Sequence, residues 1–166
     1  MKIEAPAYVR NAIRTPDGTV LCSRHRHDYQ SHLDANGETY MTDGGLDYLR
    51  RSVNVAPYED LSVSSEAPFE RQREAFEWGS YGKNRDQPVR FVKVSEMTDD
   101  HLKAVIEHIR IGAEREARAK KEYWEKTYPD SPVRQSFEAQ LPWTFSLFEK
   151  EVEFRAAHGI VIAEPA

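Results

Sequence analysis

Between residues 8 and 41 the chain alternates short apolar runs with turn residues, whereas from residue 98 onward apolar positions recur three and four apart. Period two marks strands and the longer period marks helices. Tyr8 to Ile13 leads into Thr15-Pro16-Asp17-Gly18, a proline–aspartate–glycine order suited to a type I turn, and Thr19 to Cys22 returns. Tyr29 to Leu33 and Glu38 to Met41 flank Asp34-Ala35-Asn36-Gly37, where Asn-Gly supplies the positive φ of a hairpin connection. Leu46 to Val53 fits a strand or a single helical turn, and Asn54 to Ser65, with Pro57 and several serines, reads as loop.

Pro68 suits the first turn of a helix reaching about Trp78, with Phe69, Ala75 and Phe76 as its apolar contacts. Gly79 to Asn84 then reads as loop and Val89 to Val94 as one more strand. Thr98 is a good N-cap, followed by Asp99 and Asp100, where the helix dipole favours negative charge. Leu102, Val105, Ile106, Ile109 and Ala113 share a face of that helix; from Glu114 to Lys121 it reads as solvated, and it ends at Tyr128-Pro129. A last helix starts near Pro142, carries Phe145, Phe148, Val152 and Ala156, and stops at Gly159. Ile160 to Ile162 then forms an edge strand or an extended tail. The pattern predicts an α+β protein with a small antiparallel sheet first and helices second. Its two parts are a β-rich module over 8–65 and a mainly helical region over 66–166 with one strand near 89–94, expected to pack as one unit.

Composition narrows this outline. At 166 residues, 39% hydrophobic and 31% charged, the chain can bury a core beneath a heavily charged surface. Net charge is −5, and mean hydropathy is −0.74. An overall basic footprint for nucleic acid is missing. Cys22 is the single cysteine, so neither an internal disulfide nor a four-cysteine zinc site can form within one chain. No apolar run resembles a leader peptide or reaches the roughly 20 residues of a membrane span. A soluble, cytoplasmic protein without a cofactor is expected.

Candidate chemistry gathers between Arg24 and Arg51. Arg24-His25-Arg26-His27-Asp28 is followed by Asp43-Gly44-Gly45-Leu46-Asp47 and then Arg50-Arg51. On a strand His25 and His27 would share a face, and with His32 or a carboxylate they could hold a metal for hydrolysis. The competing reading is a polar strand whose histidines bond to Asp43, Asp47 or backbone. No metal is expected on balance. Arg24, Arg26, Arg50 and Arg51, beside the backbone donors of Gly44 and Gly45, could bind a phosphate or carboxylate; alternatively Arg26 and Arg50 pair with Asp28 and Asp47. The combined expectation has Asp28 and Asp47 buttressing the turn while Arg24 and Arg51 face outward to a ligand or partner. Gly79-x-x-Gly82-Lys83 is too short for a Walker A loop. No nucleophile elbow surrounds Ser23, and Cys22 reads as a sheet residue. Trp143, Phe145 and Phe148 suit a core or a subunit interface.

At Arg26-His27-Asp28-Tyr29, at Asp43 to Arg51 and again at Trp78 to Lys83 and Met97 to His101, the sequence resembles a family of uncharacterised bacteriophage proteins. The resemblance spans roughly residues 9 to 110. Shorter members carry a zinc-ribbon-like arrangement with two cysteine pairs. Here Thr15 to Gly18 and Leu33 to Gly37 stand in those places, which implies a metal-free version with turns for zinc knuckles. The resemblance implies a phage origin; together with the missing catalytic signature, this makes a non-enzymatic accessory protein that binds a host factor in the host cytoplasm, in a counter-defence or regulatory role, the first expectation. A binder of an anionic small ligand, such as a nucleotide signal, is the second expectation, and a metal-assisted hydrolase is the third.

Overall fold

The computed structural model describes residues 6–52, 57–82, 84–133 and 135–163. The described residues divide into two compact units, 6–95 and 96–163. The boundary between these units falls near Ser95.

In the first unit, β1 (Tyr8–Arg10) and β2 (Ala12–Arg14) are separated only by Asn11. β2 pairs antiparallel with β3 (Val20–Cys22) around the first predicted turn. The same segment pairs on its other side with β7 (Glu59–Asp60) and β8 (Val63–Ser64), two short strands inside the stretch expected to be loop. Local propensity there is weak, and the strands exist because an extended segment lies beside them. β4 (Gln30–Leu33) and β5 (Thr39–Asp43) form the second hairpin, and β6 (Arg50–Arg51) adds to β5. Leu46 to Val53 is thus a turn followed by a strand, and its end from Val53 lies outside the described residues.

Both hairpin tips are held by a carboxylate. Asp17 accepts from the Thr15 hydroxyl and the Thr19 amide, and Asp34 accepts from the amides of Asn36 and Glu38. Gly18 and Gly37 follow with φ of +90° and +82°. Ile13, Leu21 and Tyr40 pack into a core against which Tyr58 rests.

The helix α1 (Phe69–Ala75) stops short of the predicted Trp78. Phe76 is already extended, and Trp78 to Ser80 belong to β9 (Glu77–Ser80), which pairs with β10 (Arg90–Lys93). Trp78, Gly79 and Ser80, read as helix end and loop, are strand because Phe91 and Val92 offer them a ladder. Buried Gln72 closes the helix entry by donating to the carbonyls of Ser65 and Ala67.

The second unit holds α2 (Asp99–Thr127) and α3 (Trp143–His158). Thr98 caps α2 by accepting the His101 amide, and Gly159 ends α3 in the left-handed region, as the sequence predicts. Leu102, Val105, Ile109 and Ala113 of α2 are buried. On α3 the buried face is Phe145, Leu147, Phe148, Glu151 and Arg155, whereas Val152, expected inside, is exposed. An ion pair displaces it: Arg155 bonds Glu151 at 2.7 Å and Asp99 at 2.7 Å, with Glu151 fully buried. Ile160 to Ile162 is an extended tail whose Ile162 carbonyl accepts the Asp99 amide.

Removing Arg155 takes from the buried Glu151 carboxylate its charge-assisted bond at 2.7 Å. Arg155→Met is expected to lower stability by about 3 kcal/mol. Glu151→Leu together with Arg155→Met should recover most of the loss, read by urea denaturation of both variants.

Candidate functional site

The central stretch is built around a residue outside it. Asn11 is completely buried, and its amide makes the four hydrogen bonds it has capacity for. Its nitrogen donates to the carbonyls of Asp43 at 2.9 Å and Tyr48 at 3.4 Å. Its oxygen accepts from Thr42 Oγ1 at 2.8 Å and from Arg51 at 2.7 Å. Arg51 also donates to Thr42 Oγ1 and to Ser62 Oγ, which bonds Ala12. A polar network thus joins β1–β2, β5, β6 and the loop before β8.

Arg51, expected to face outward, has a side chain only 11% exposed. Arg50 beside it is 66% exposed and stands 3.6 Å from Asp43. The pleat explains the split, because neighbours on a strand point to opposite faces. Arg24 is not an outward contact either. Its guanidinium bonds Glu77 at 2.9 Å and lies 3.8 Å from the centre of the Phe91 ring. Arg10 takes the other Glu77 oxygen at 3.0 Å. Burial pushes the Glu77 carboxyl up, but the bonds from Arg10 and Arg24 outweigh it, so its pKa lies below the ordinary value.

His25 and His27 are exposed on a turn rather than paired on a strand face. The Asp28 amide closes that turn on the His25 carbonyl, while the Asp28 carboxylate accepts the Arg24 amide at 2.9 Å and a bond from Gln30. Asp28 buttresses the turn as expected, but through backbone and not by pairing with Arg26. Arg26 instead reaches Asp47 at 2.9 Å, both largely exposed. His32 leaves the group and meets Asp17 of the first turn at 2.7 Å. Among the described residues no three His, Cys, Asp or Glu side chains gather as metal ligands.

Gly44 and Gly45 have structural work. Both have positive φ, +98° and +58°. A Cβ on Gly45 would stand 2.6 Å from the Arg26 nitrogen, and the Gly45 amide donates to buried Ser23 Oγ at 2.9 Å. The Asp-Gly-Gly turn therefore lies directly against the His25–Arg26 peptide. Its amide is occupied, so the anion-binding role considered for this backbone loses a donor.

Sequence reasoning missed Asn11, Thr42, Ser62 and Glu77. One sign of Asn11 was available: a lone amide between Val9 and Ile13 in an otherwise apolar strand, where Arg10 alone shares its polarity. Outside the network, Tyr29 is 57% and Leu33 64% exposed. Period two places Ser31 with them, and Met41 and Thr39 stand opposite Ser31 and Leu33 in register. One face of this sheet is therefore network and core, and the other carries exposed Tyr29, Ser31, Leu33 and Thr39 with half-buried Met41, edged by the Arg50–Asp43 pair.

Asn11→Ala would strand the Thr42 and Arg51 donors and two carbonyls; a loss of about 3 kcal/mol is expected by chemical denaturation. Gly45→Ala should destabilise as well, through both strain and the close approach. Acid offers a separate check. Bonds from Thr15, His32 and Thr19 hold the Asp17 carboxyl well below the usual carboxylate range. A depressed folded-state pKa stabilises the fold above the unfolded value of about 4, and the contribution fades as pH falls through the folded value. Below pH 4 the parent should therefore lose stability faster than Asp17→Asn in a series of melting curves. Comparison with protein-family models, with curated proteins and with solved structures finds no match to this chain.

Proposed function

We propose that this chain acts as a binding protein for a macromolecular partner, not by catalysing a reaction, and that the outer face of the β4–β5–β6 sheet is the contact. The observation that carries the reading is the separation of the two faces. Inward, Asn11, Thr42, Arg51 and Ser62 bond one another, while outward Tyr29 and Leu33 stand exposed, with half-buried Met41 and the Arg50–Asp43 pair on the same face. Aromatic and arginine side chains around an apolar centre are what protein interfaces enrich. Exposed ion pairs contribute little to the fold, so Arg26 and Arg50 can exchange partners at small cost. A protein surface with its own apolar patch and mixed charges fits this face. The host-factor role implied by the phage resemblance is one form of this reading.

A free small anion fits less well. Each of the four arginines of the stretch already has a carboxylate within 4 Å: Glu77 for Arg24, Asp47 for Arg26, Asp43 for Arg50 and Asp60 for Arg51.

Tyr29→Asp with Leu33→Asp should keep the parent melting temperature, because both positions are open, while abolishing co-purification of the partner from cells expressing the tagged chain. Undiminished capture by this double variant would sink the proposal. In a parallel thermal-shift panel, nucleotides and inorganic phosphate should leave the melting temperature unchanged. A ligand at a hundredfold excess over its dissociation constant adds about 2.7 kcal/mol. Such a rise, lost in Arg26→Ala and Arg50→Ala, would replace the proposal with anion binding.

A further inference from the structure

In the second unit one face of α2 carries Ala113, Glu116, Ala117, Lys120, Tyr123 and Trp124 at helical spacing. The extended segment 135–140 lies opposite this face. Between them runs an open groove of about 400 Å³, within the roughly 300–1,000 Å³ usual for small-molecule sites. Ala113 and Ala117 keep its floor low, since each adds only a methyl group to the helix backbone. Trp124 is the last helical residue of the lining, and its indole meets Phe137 of the opposite wall. Their ring centres are 6.4 Å apart and the planes are tilted by 53°. Tyr128 packs on the same indole with 4.6 Å between centres, and Tyr123 of the lining is 67% exposed.

We propose that this groove binds a small free organic cation of the alkylammonium class, with a quaternary ammonium head seated against Trp124 and Phe137. The argument is electrostatic. Aromatic ring faces carry negative charge density, and a cation within about 6 Å of a ring centre is attracted, most strongly by indole. Two inclined rings 6.4 Å apart form a wedge in which one cation can lie within that range of both. The charges of the lining have the matching sign. Glu116, Lys120 and Glu138 are its charged groups among the described residues, two carboxylates against one ammonium. Lys120 is already bonded to Glu116 at 2.6 Å. Glu138 has no ion-pair partner among the described residues, which leaves its carboxylate for a cation in the groove. An anion would meet two carboxylates and the ring faces. A purely apolar ligand would cover Glu138 without pairing it. An alkylated ammonium satisfies both demands, because its methyl groups pack on the rings while its charge faces Glu138. The stack with Tyr128 holds the indole in place beforehand, so little ordering is left to the binding step.

The test is calorimetric titration of the full chain with choline chloride, beside its neutral isostere 3,3-dimethylbutan-1-ol and sodium chloride. Choline should bind saturably with a dissociation constant in the millimolar range or below. The isostere, equal in shape but uncharged, should bind about tenfold more weakly, and sodium chloride should give no saturable heat. Glu138→Gln, at an exposed position, should keep the parent melting temperature and weaken choline binding about fivefold. Trp124→Phe keeps a ring and should weaken it by less than Trp124→Leu, which keeps apolar volume without a ring face. Circular dichroism verifies that the helix persists in both. Should the Trp124 variants unfold, Glu138→Gln and the isostere decide the question, because neither disturbs the packing. No saturable binding of choline at millimolar concentration overturns the proposal. So does equal binding of the isostere, or unchanged affinity in Glu138→Gln. Binding to phosphatidylcholine vesicles with none to free choline would assign the groove to a membrane surface and overturn it as well.

Discussion

A buried amide must have every donor and acceptor met, and that requirement at Asn11 shapes the first unit. Its four partners come from Thr42, Asp43, Tyr48 and Arg51, which span a strand, a turn and the next strand. The Asn11 carbonyl also accepts the Ser23 amide, which fixes where the first hairpin ends. An apolar residue at this place could fill the volume but would leave two carbonyls and two donors unmet. The Asn11 side chain therefore helps to set the register between the two hairpins, beside the Gly45–Ser23 bond. Gly45 makes the closure possible by letting its turn meet the His25–Arg26 peptide without a Cβ in between.

That closure redistributes the charges of the central stretch. Arg51 is drawn inside by Asn11, Thr42 and Ser62, and Arg24 is drawn sideways by Glu77 and Phe91. Arg26 and Arg50 stay outside with Asp47 and Asp43. What looked like a single basic and acidic cluster is thus two populations, one joining strands and one lining a surface. The two histidines nearest the cluster sit on an exposed turn, and the third is tied to Asp17 at the tip of the other hairpin. This sorting is what supports the proposed reading: the four arginines stand beside carboxylates, and Tyr29 and Leu33 face outward.

The second unit applies a similar rule with charges. Arg155, Glu151 and Asp99 fasten α3 to the start of α2, so the unit is secured at one end of its long helix. Along the later turns of α2 the extended segment 135–140 lies opposite instead, with Phe137 6.4 Å from Trp124 between ring centres and a groove of about 400 Å³ left between them.

The sequence by itself determined the elements whose causes are local. Both hairpin tips, the Thr98 cap, the Gly159 stop and the buried stripe of α2 follow from turn chemistry, capping and period, and these act within a few residues. The α+β division follows from the same signals. Tertiary structure decided everything that depends on a distant partner. β7 and β8 exist because residues 8 to 14 lie beside them, and β9 replaces a helix end because β10 pairs with it. Val152 yields the inside of α3 to Arg155 because Asp99 stands opposite. The roles of the arginines were hidden for the same reason: a guanidinium carries the same charge whether it faces water or a buried amide. Only the fold brings Asn11, 40 residues away in the chain, within hydrogen-bonding distance of Arg51 and decides which it is.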